Sequence, residues 1–165
     1  VLLGRTGSDV LYNSISILVM SITGLIVGWR IRTSPAKAIG GFLLLLLFAY
    51  AISWIMAYVG LKVSSVQVFQ TASFMFIFPV TFIANTFVRS DLLPGPLRTF
   101  ADWNPVSSVA QAAREAFGNT GSLPQPNVWS LHNPVAYTLI WVVLILAVFI
   151  PLSVRQYNKA AVRGD

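Results

Sequence analysis

FPVTFIANTFVRSDLLPGPLRTFADWNPVSSVAQAARE, residues 78–115, starts in an apolar run and finishes in a polar one. Asn85 and Arg89 lead out of the apolar part, Pro94-Gly95-Pro96 makes a turn, and Asn104-Pro105 restarts a helix. Asn104 suits an N-cap, Pro105 the first helical position and Gly118 the left-handed stop, so the spacing predicts a helix over 105–117 and a shorter one over 97–103. Val106, Val109, Ala110, Ala113 and Phe117 share one face of the longer helix. Such an amphipathic element is expected to lie along a membrane surface or to dip partly into it.

The flanks supply the membrane. A span needs about 20 predominantly apolar residues to cross a hydrocarbon core of about 30 Å. Residues 10–29, 38–60, 68–88 and 135–154 meet that length, which predicts an all-α integral membrane protein of four transmembrane helices with short amphipathic helices in a long loop over 89–134. Residues 1–165 read as one transmembrane domain. Hydrophobic residues make up 56% of the chain and charged ones 10%, with mean hydropathy +0.73, far from the composition of a water-soluble domain.

Each span carries its own markers. In the first, Asn13, Ser14, Ser16, Ser21 and Thr23 are expected to face neighbouring helices. Pro35 separates the first span from the second, whose Gly40-Gly41 suits a close helix crossing or, by preference, a frayed start, and whose Trp54 and Tyr58 suit the headgroup level. The third holds Pro79 near its middle, flanked by Gln70, Thr71, Ser73, Thr81 and Asn85, and is expected to be buried in the bundle or to line a cavity. In the fourth, Pro151 is placed to kink the last turn, ahead of a short basic tail. The chain begins at Val1 without a signal-peptide pattern and is expected to lack an N-terminal part.

Charge and chemistry exclude several classes. The net charge of +6 comes from basic residues scattered singly over loops and tail, which makes no nucleic-acid stripe. Arg5, Lys62, Arg155, Lys159 and Arg163 on one side are balanced by Arg30, Arg32, Lys37, Arg89 and Arg98 on the other, so near-membrane charge does not orient the chain. There is no cysteine, the one histidine (His132) has no zinc-ligand partner pattern, and neither a phosphate-cradling G-x-x-x-x-G-K-[ST] loop nor a G-x-S-x-G elbow occurs. Enzyme chemistry, bound metal and nucleotide binding by this chain are therefore not expected. No acid lies inside a predicted span, which argues against proton coupling. Asp91, Asp102 and Glu115 read as solvated or N-terminal helix charges.

Phe74, Phe78 and their aromatic neighbours in the third span read first as packing. Their combination with Gln70, Thr71, Pro79, Thr81 and Asn85 favours a path for an amphiphilic substrate.

The residues resemble the type-2 ABC exporter permeases, in particular the daunorubicin-resistance-like drug and lipid exporters. Phe78-Pro79, Asn85-Thr86-Phe87, Leu93-Pro94, Leu97, Phe100, Trp103-Asn104-Pro105 and Arg114-Glu115 carry the resemblance, supported by Gly4, Arg5 and Asp9 upstream and by Pro151, Leu152, Arg155 and Tyr157 downstream. At Arg89-Ser90-Asp91 this chain places a positive charge where the family often has an apolar or small residue. The resemblance implies the last four of six spans, with both ends cytoplasmic, 89–134 external, and Arg5 and Asp9 near the element that couples to the ATPase. It further implies a permease homodimer or heterodimer in the plasma membrane, the inner membrane of a bacterium, with ATP and Mg bound by a separate ATP-binding subunit and lipid around it. Pro94, Trp103, Asn104, Pro105 and Glu115 would then gate the outer end of the path. Export of a polysaccharide or glycolipid and a non-transporting membrane scaffold are the alternatives.

Overall fold

The structure is a computed structural model that describes residues 2–84, 86, 89–121 and 127–163, with side chains over 7–159 of these. Seven α-helices follow in order among the described residues: α1 (Leu2–Val27), α2 (Pro35–Lys62), α3 (Val66–Phe82), α4 (Gly95–Trp103), α5 (Pro105–Phe117), α6 (Trp129–His132) and α7 (Pro134–Arg163). A 3-10 turn, Ser90–Leu92, precedes α4. Three helices contain stretches long and apolar enough to cross a membrane: Gly7–Val27, Pro35–Lys62 and Pro134–Lys159.

The helix ends follow from local chemistry. Ser34 caps α2 by accepting from the Lys37 amide, and Pro35 takes the first position, where its missing N–H costs nothing. Ser65 caps α3 in the same way through the Val68 amide. Asn104 caps α5 and Gly118, at φ +73, stops it. The ends of α5 were legible from its cap and stop, whereas α2 and α3 begin at Pro35 and Val66, two or three residues ahead of the expected spans. Others move: α1 starts at Leu2, ahead of the expected span, and ends at Val27, where Gly28 turns through φ +108. α7 runs on through Pro151 to Arg163, so the expected tail is part of the helix. The Pro ring removes one hydrogen bond, and a helix already held on both sides tolerates that.

The core lies where α2, α5 and α7 meet. Phe48 and Ala51 of α2, Val109 of α5, and Val142 and Ile145 of α7 form one buried cluster. α2 and α7 run parallel: Phe48 and Ala51 meet Val142 and Ile145, and further along Tyr58 meets Phe149 with ring centroids 5.7 Å apart. α3 runs antiparallel to α2, with Ser73 Oγ donating to Met56 Sδ at 3.6 Å and Phe69 lying against Gly60.

Within 89–134, α5 packs into the helix bundle. Its apolar face is inserted between α2 and α7, where burying Val109, Ala112 and Phe117 gains roughly 25 cal/mol per Å² of apolar area. The close approach needs Gly41. A Cβ there would lie 2.6 Å from the Ala116 Cβ, so Gly40-Gly41 is not a frayed start but contains a tight helix crossing. The far end of α5 is closed by the α1–α2 connection. The Arg32 amide donates to the Phe117 carbonyl at 2.9 Å, Thr33 Oγ1 to the Ala116 carbonyl, and Asn119 Nδ2 to the Arg30 carbonyl at 3.2 Å. Carbonyls that a helix C-terminus leaves without partners are thereby satisfied.

Gly118 sits at this junction. An alanine there would place its Cβ 3.0 Å from Arg32 Cβ and from Thr33 Cγ2 in a left-handed conformation. Gly118→Ala is therefore expected to cost about 2 kcal/mol, read as a lower thermal unfolding midpoint of the purified protein in detergent.

The hydroxyls of α1 bond within their own helix. Ser14, Ser16, Ser21 and Thr23 donate to the carbonyls of Val10, Tyr12, Ile17 and Val19, one turn back on their own helix. Each hydroxyl satisfies its donor within its own helix and keeps acceptor capacity for a neighbour.

Candidate functional site

α3 presents the residues that the sequence grouped. Phe74, Phe78 and Phe82 recur one turn apart. Their rings stack in a ladder with centroids 5.2 and 5.5 Å apart and interplanar angles of 23° and 18°. Offset stacking of this kind suits the ring quadrupoles and leaves the outer faces free. The rings remain 69%, 50% and 54% exposed. Gln70, Thr71, Phe74, Met75, Phe78 and Pro79 line one open groove of about 590 Å³. All six belong to α3, so the groove has one wall among the described residues. No residue of α3 is buried within this bundle.

The polar groups of the groove are partly engaged. Thr71 Oγ1 donates to the Gln67 carbonyl at 3.0 Å, and Thr81 Oγ1 donates to the Ile77 carbonyl at 2.7 Å and to the Phe78 carbonyl at 3.2 Å. Their hydroxyl oxygens keep acceptor capacity. Thr81 lies one turn beyond the groove residues, and Asn85 lies outside the described residues.

One side chain between α4 and α5 ties them to the last turn of α3. Asn104 is 3% exposed and serves two helices at once. Its Oδ1 accepts from the Val106 amide at 2.9 Å, capping α5, and its Nδ2 donates to the Val80 carbonyl at 2.6 Å in the last turn of α3. The Trp103 carbonyl accepts from Tyr137 Oη at 2.7 Å. Tyr137 is also the centre of an aromatic cluster, edge-on to Trp103, Trp129 and Trp141 at 5.9, 6.1 and 6.4 Å. Ser130 Oγ donates to the Asp102 carbonyl, and Ser108 Oγ and Thr138 Oγ1 are 3.0 Å apart in a buried pair joining α5 to α7. Pro94 caps α4, and Pro105 opens α5. Glu115 does not join this junction: it lies at the other end of α5, accepting from Gln111 Nε2 at 3.1 Å.

A known family covers this framework. The ABC-2 type transporter pattern matches residues 1–117, which include α1 to α5. The chain belongs to the ABC-2 type transporter family. It is also similar to the daunorubicin resistance ABC transporter permease protein DrrB1 of Streptomyces coeruleorubidus, at 30% identity over 161 residues, which is 97% of this chain and 54% of that protein. The chain therefore spans about half the length of the curated relative it matches. No solved structure matches it.

Within this ABC-2 type chain the acids separate by environment. Asp91 is exposed and held by the fork of Arg89, with Nε to Oδ1 at 3.0 Å and Nη2 to Oδ2 at 2.6 Å. The hydrogen bond from Arg89 lowers the Asp91 carboxyl below its ordinary value, so the extra positive charge noted at Arg89 is neutralised locally. Asp102, expected to be solvated, is buried at the C-terminal end of α4. Arg98 Nε lies 3.8 Å from its Oδ2, and its Oδ1 has no hydrogen-bond partner among the described residues. Asp9 lies within α1, as does the backbone of Arg5, well away in sequence from the α3 groove. The residues that sequence reasoning missed are Tyr137, Ser130 and Thr138. Their signal was weak because each bonds to a backbone or hydroxyl group that no spacing rule announces.

Proposed function

We propose that this chain is part of the transmembrane permease subunit of an ATP-driven exporter of hydrophobic or amphiphilic molecules, such as drugs, antibiotics or lipids. The observation that carries the reading is the match along 97% of the chain to a drug-resistance permease. The exposed aromatic ladder of α3 supports it, because planar or apolar cargo gains stacking and dispersion contacts on such a surface. A one-walled groove is completed by a facing surface, and a second permease, identical or related, supplies it in this reading. Gln70, Thr71, Phe74, Phe78, Pro79, Thr81 and Asn85 form the path. Pro94, Trp103, Asn104 and Pro105 close its outer end, with Glu115 farther along α5. ATP and Mg are bound by a separate ATP-binding subunit, and Arg5 and Asp9 lie near the coupling side. The complex resides in the plasma membrane, the inner membrane of a bacterium.

Topology supports a fourth crossing. Because α2 and α7 run parallel, the connection between them has to return to the side on which α2 starts. α3 is the apolar helix that makes the return. Its 17 residues span about 26 Å, a little short of the hydrocarbon thickness of about 30 Å. Residues 89–134 then lie external, with α5 re-entering the membrane between α2 and α7.

The full-length protein is expected to copurify with an ATP-binding subunit and to change its hydrolysis rate. Phe78→Ala is expected to lower export of an aromatic drug about tenfold, the loss of one good aromatic contact, with complex assembly unchanged. Failure to copurify and to alter ATPase rate sinks the reading.

A further inference from the structure

A second groove shares no residue with the α3 groove. It lies between α2, α5 and α7 and encloses about 590 Å³. Gly40, Leu47, Ala112 and Leu139 give it an apolar lining, while Lys37 and Glu115 supply opposite charges within the same groove. Neither Lys37 nor Glu115 forms an ion pair among the described residues.

Length and charge together specify an occupant. From Lys37 to Leu47 the groove follows ten residues of α2, about 15 Å of helix. That equals the hydrocarbon depth of a single leaflet, half of about 30 Å. Lys37 lies in the first turn of α2, at the membrane boundary, where a headgroup belongs. Its ammonium suits a phosphate. Glu115 lies in the last turn of α5, where the helix dipole disfavours an anion unless a cation joins it. A primary ammonium does so, with N–H donors for the carboxylate.

We propose that this groove is a resident binding site for one phospholipid with an ethanolamine headgroup, its acyl chain along α2 and α7, its phosphate on Lys37 and its ammonium on Glu115. The proposal does not depend on the transport reading. It gives the site a structural consequence: Ala112 and Glu115 belong to α5, so the lipid holds α5 against its two neighbours.

The glycine pair supplies the test. A Cβ at Gly40, which lines the groove, meets nothing within 4 Å, so Gly40→Leu is the variant chosen to occupy the groove, whereas Gly41 faces Ala116 and is left alone. The full-length permease, extracted mildly and equilibrated with vesicles of equal phosphatidylethanolamine, phosphatidylcholine and phosphatidylglycerol, is examined by native mass spectrometry. Wild type is expected to retain one phosphatidylethanolamine per chain in preference to the other two. Lys37→Gln and Glu115→Gln are each expected to lower its retention about tenfold, the loss of one charge-assisted hydrogen bond. Gly40→Leu is expected to abolish retention while leaving the unfolding midpoint of lipid-free protein unchanged or raised. Equal retention of all three headgroups, or undiminished retention by Gly40→Leu, overturns the proposal. Residues 1–165 contain no cysteine, so Leu43→Cys, with any cysteine elsewhere in the full-length permease replaced, gives a defined probe in the groove wall. Its crosslinking to a protein segment in native membranes would show a helix in place of the lipid, and would also overturn it.

Discussion

Gly41→Ala is expected to destabilise the bundle by about 1–3 kcal/mol, the larger figure applying if α2 and α5 cannot separate. The added Cβ would stand 2.6 Å from the Ala116 Cβ and 3.3 Å from the Phe117 ring, and both neighbours are anchored. The Ala116 carbonyl is bound by Thr33, and the Phe117 ring is wedged against Trp29 at 5.2 Å and Phe42 at 4.8 Å. The strain therefore has no flexible side chain to absorb it. The measurement is the thermal midpoint of detergent-solubilised protein, followed by helical circular dichroism. Ala116→Gly placed in the same chain is expected to recover most of the loss. A double variant no better than Gly41→Ala alone would show that the clash is not with Ala116.

Asn104→Ala is expected to cost about 2–4 kcal/mol, because two helix ends lose a partner through one side chain. Removing the cap of α5 accounts for about 0.5–2 kcal/mol. Leaving the Val80 carbonyl without its donor adds about 1–3 kcal/mol. Asn104→Asp separates the two contributions: an aspartate still accepts from the Val106 amide, but offers no N–H to Val80 and sets a carboxylate against its carbonyl. The aspartate variant should keep α5 helical and loosen its attachment to α3, read as faster amide exchange at the end of α3. Equal protection of α3 in both variants and wild type would refute the shared-cap account.

The features read correctly from sequence are those governed by local chemistry. Asn104-Pro105 and Gly118 fixed both ends of α5 because capping is a property of a few adjacent residues. The start of α2 was read at Ala38, three residues late, because Ser34-Pro35 was taken as part of the turn and not as a cap and first helical position. What sequence could not convey was whom a face meets. The α5 pattern of Val106, Val109 and Phe117 is equally suited to a lipid interface and to a slot between two helices. Only the fit of Gly41 under Ala116 distinguishes them. The α3 groove was legible as a set of residues, because an aromatic every fourth position on a helix must stack on one side. The lack of an opposing wall was not, since that depends on surfaces beyond the chain.

The aromatic cluster around Tyr137 has an optical consequence. Three of the five tryptophans, Trp103, Trp129 and Trp141, approach one tyrosine edge-on where α4, α6 and α7 converge. Near-ultraviolet circular dichroism and tryptophan emission depend on such mutual orientations. The unlabelled protein should thus report the seating of α4 and α6 against α7 as a spectral change, with Trp29 and Trp54 as the background from elsewhere in the bundle.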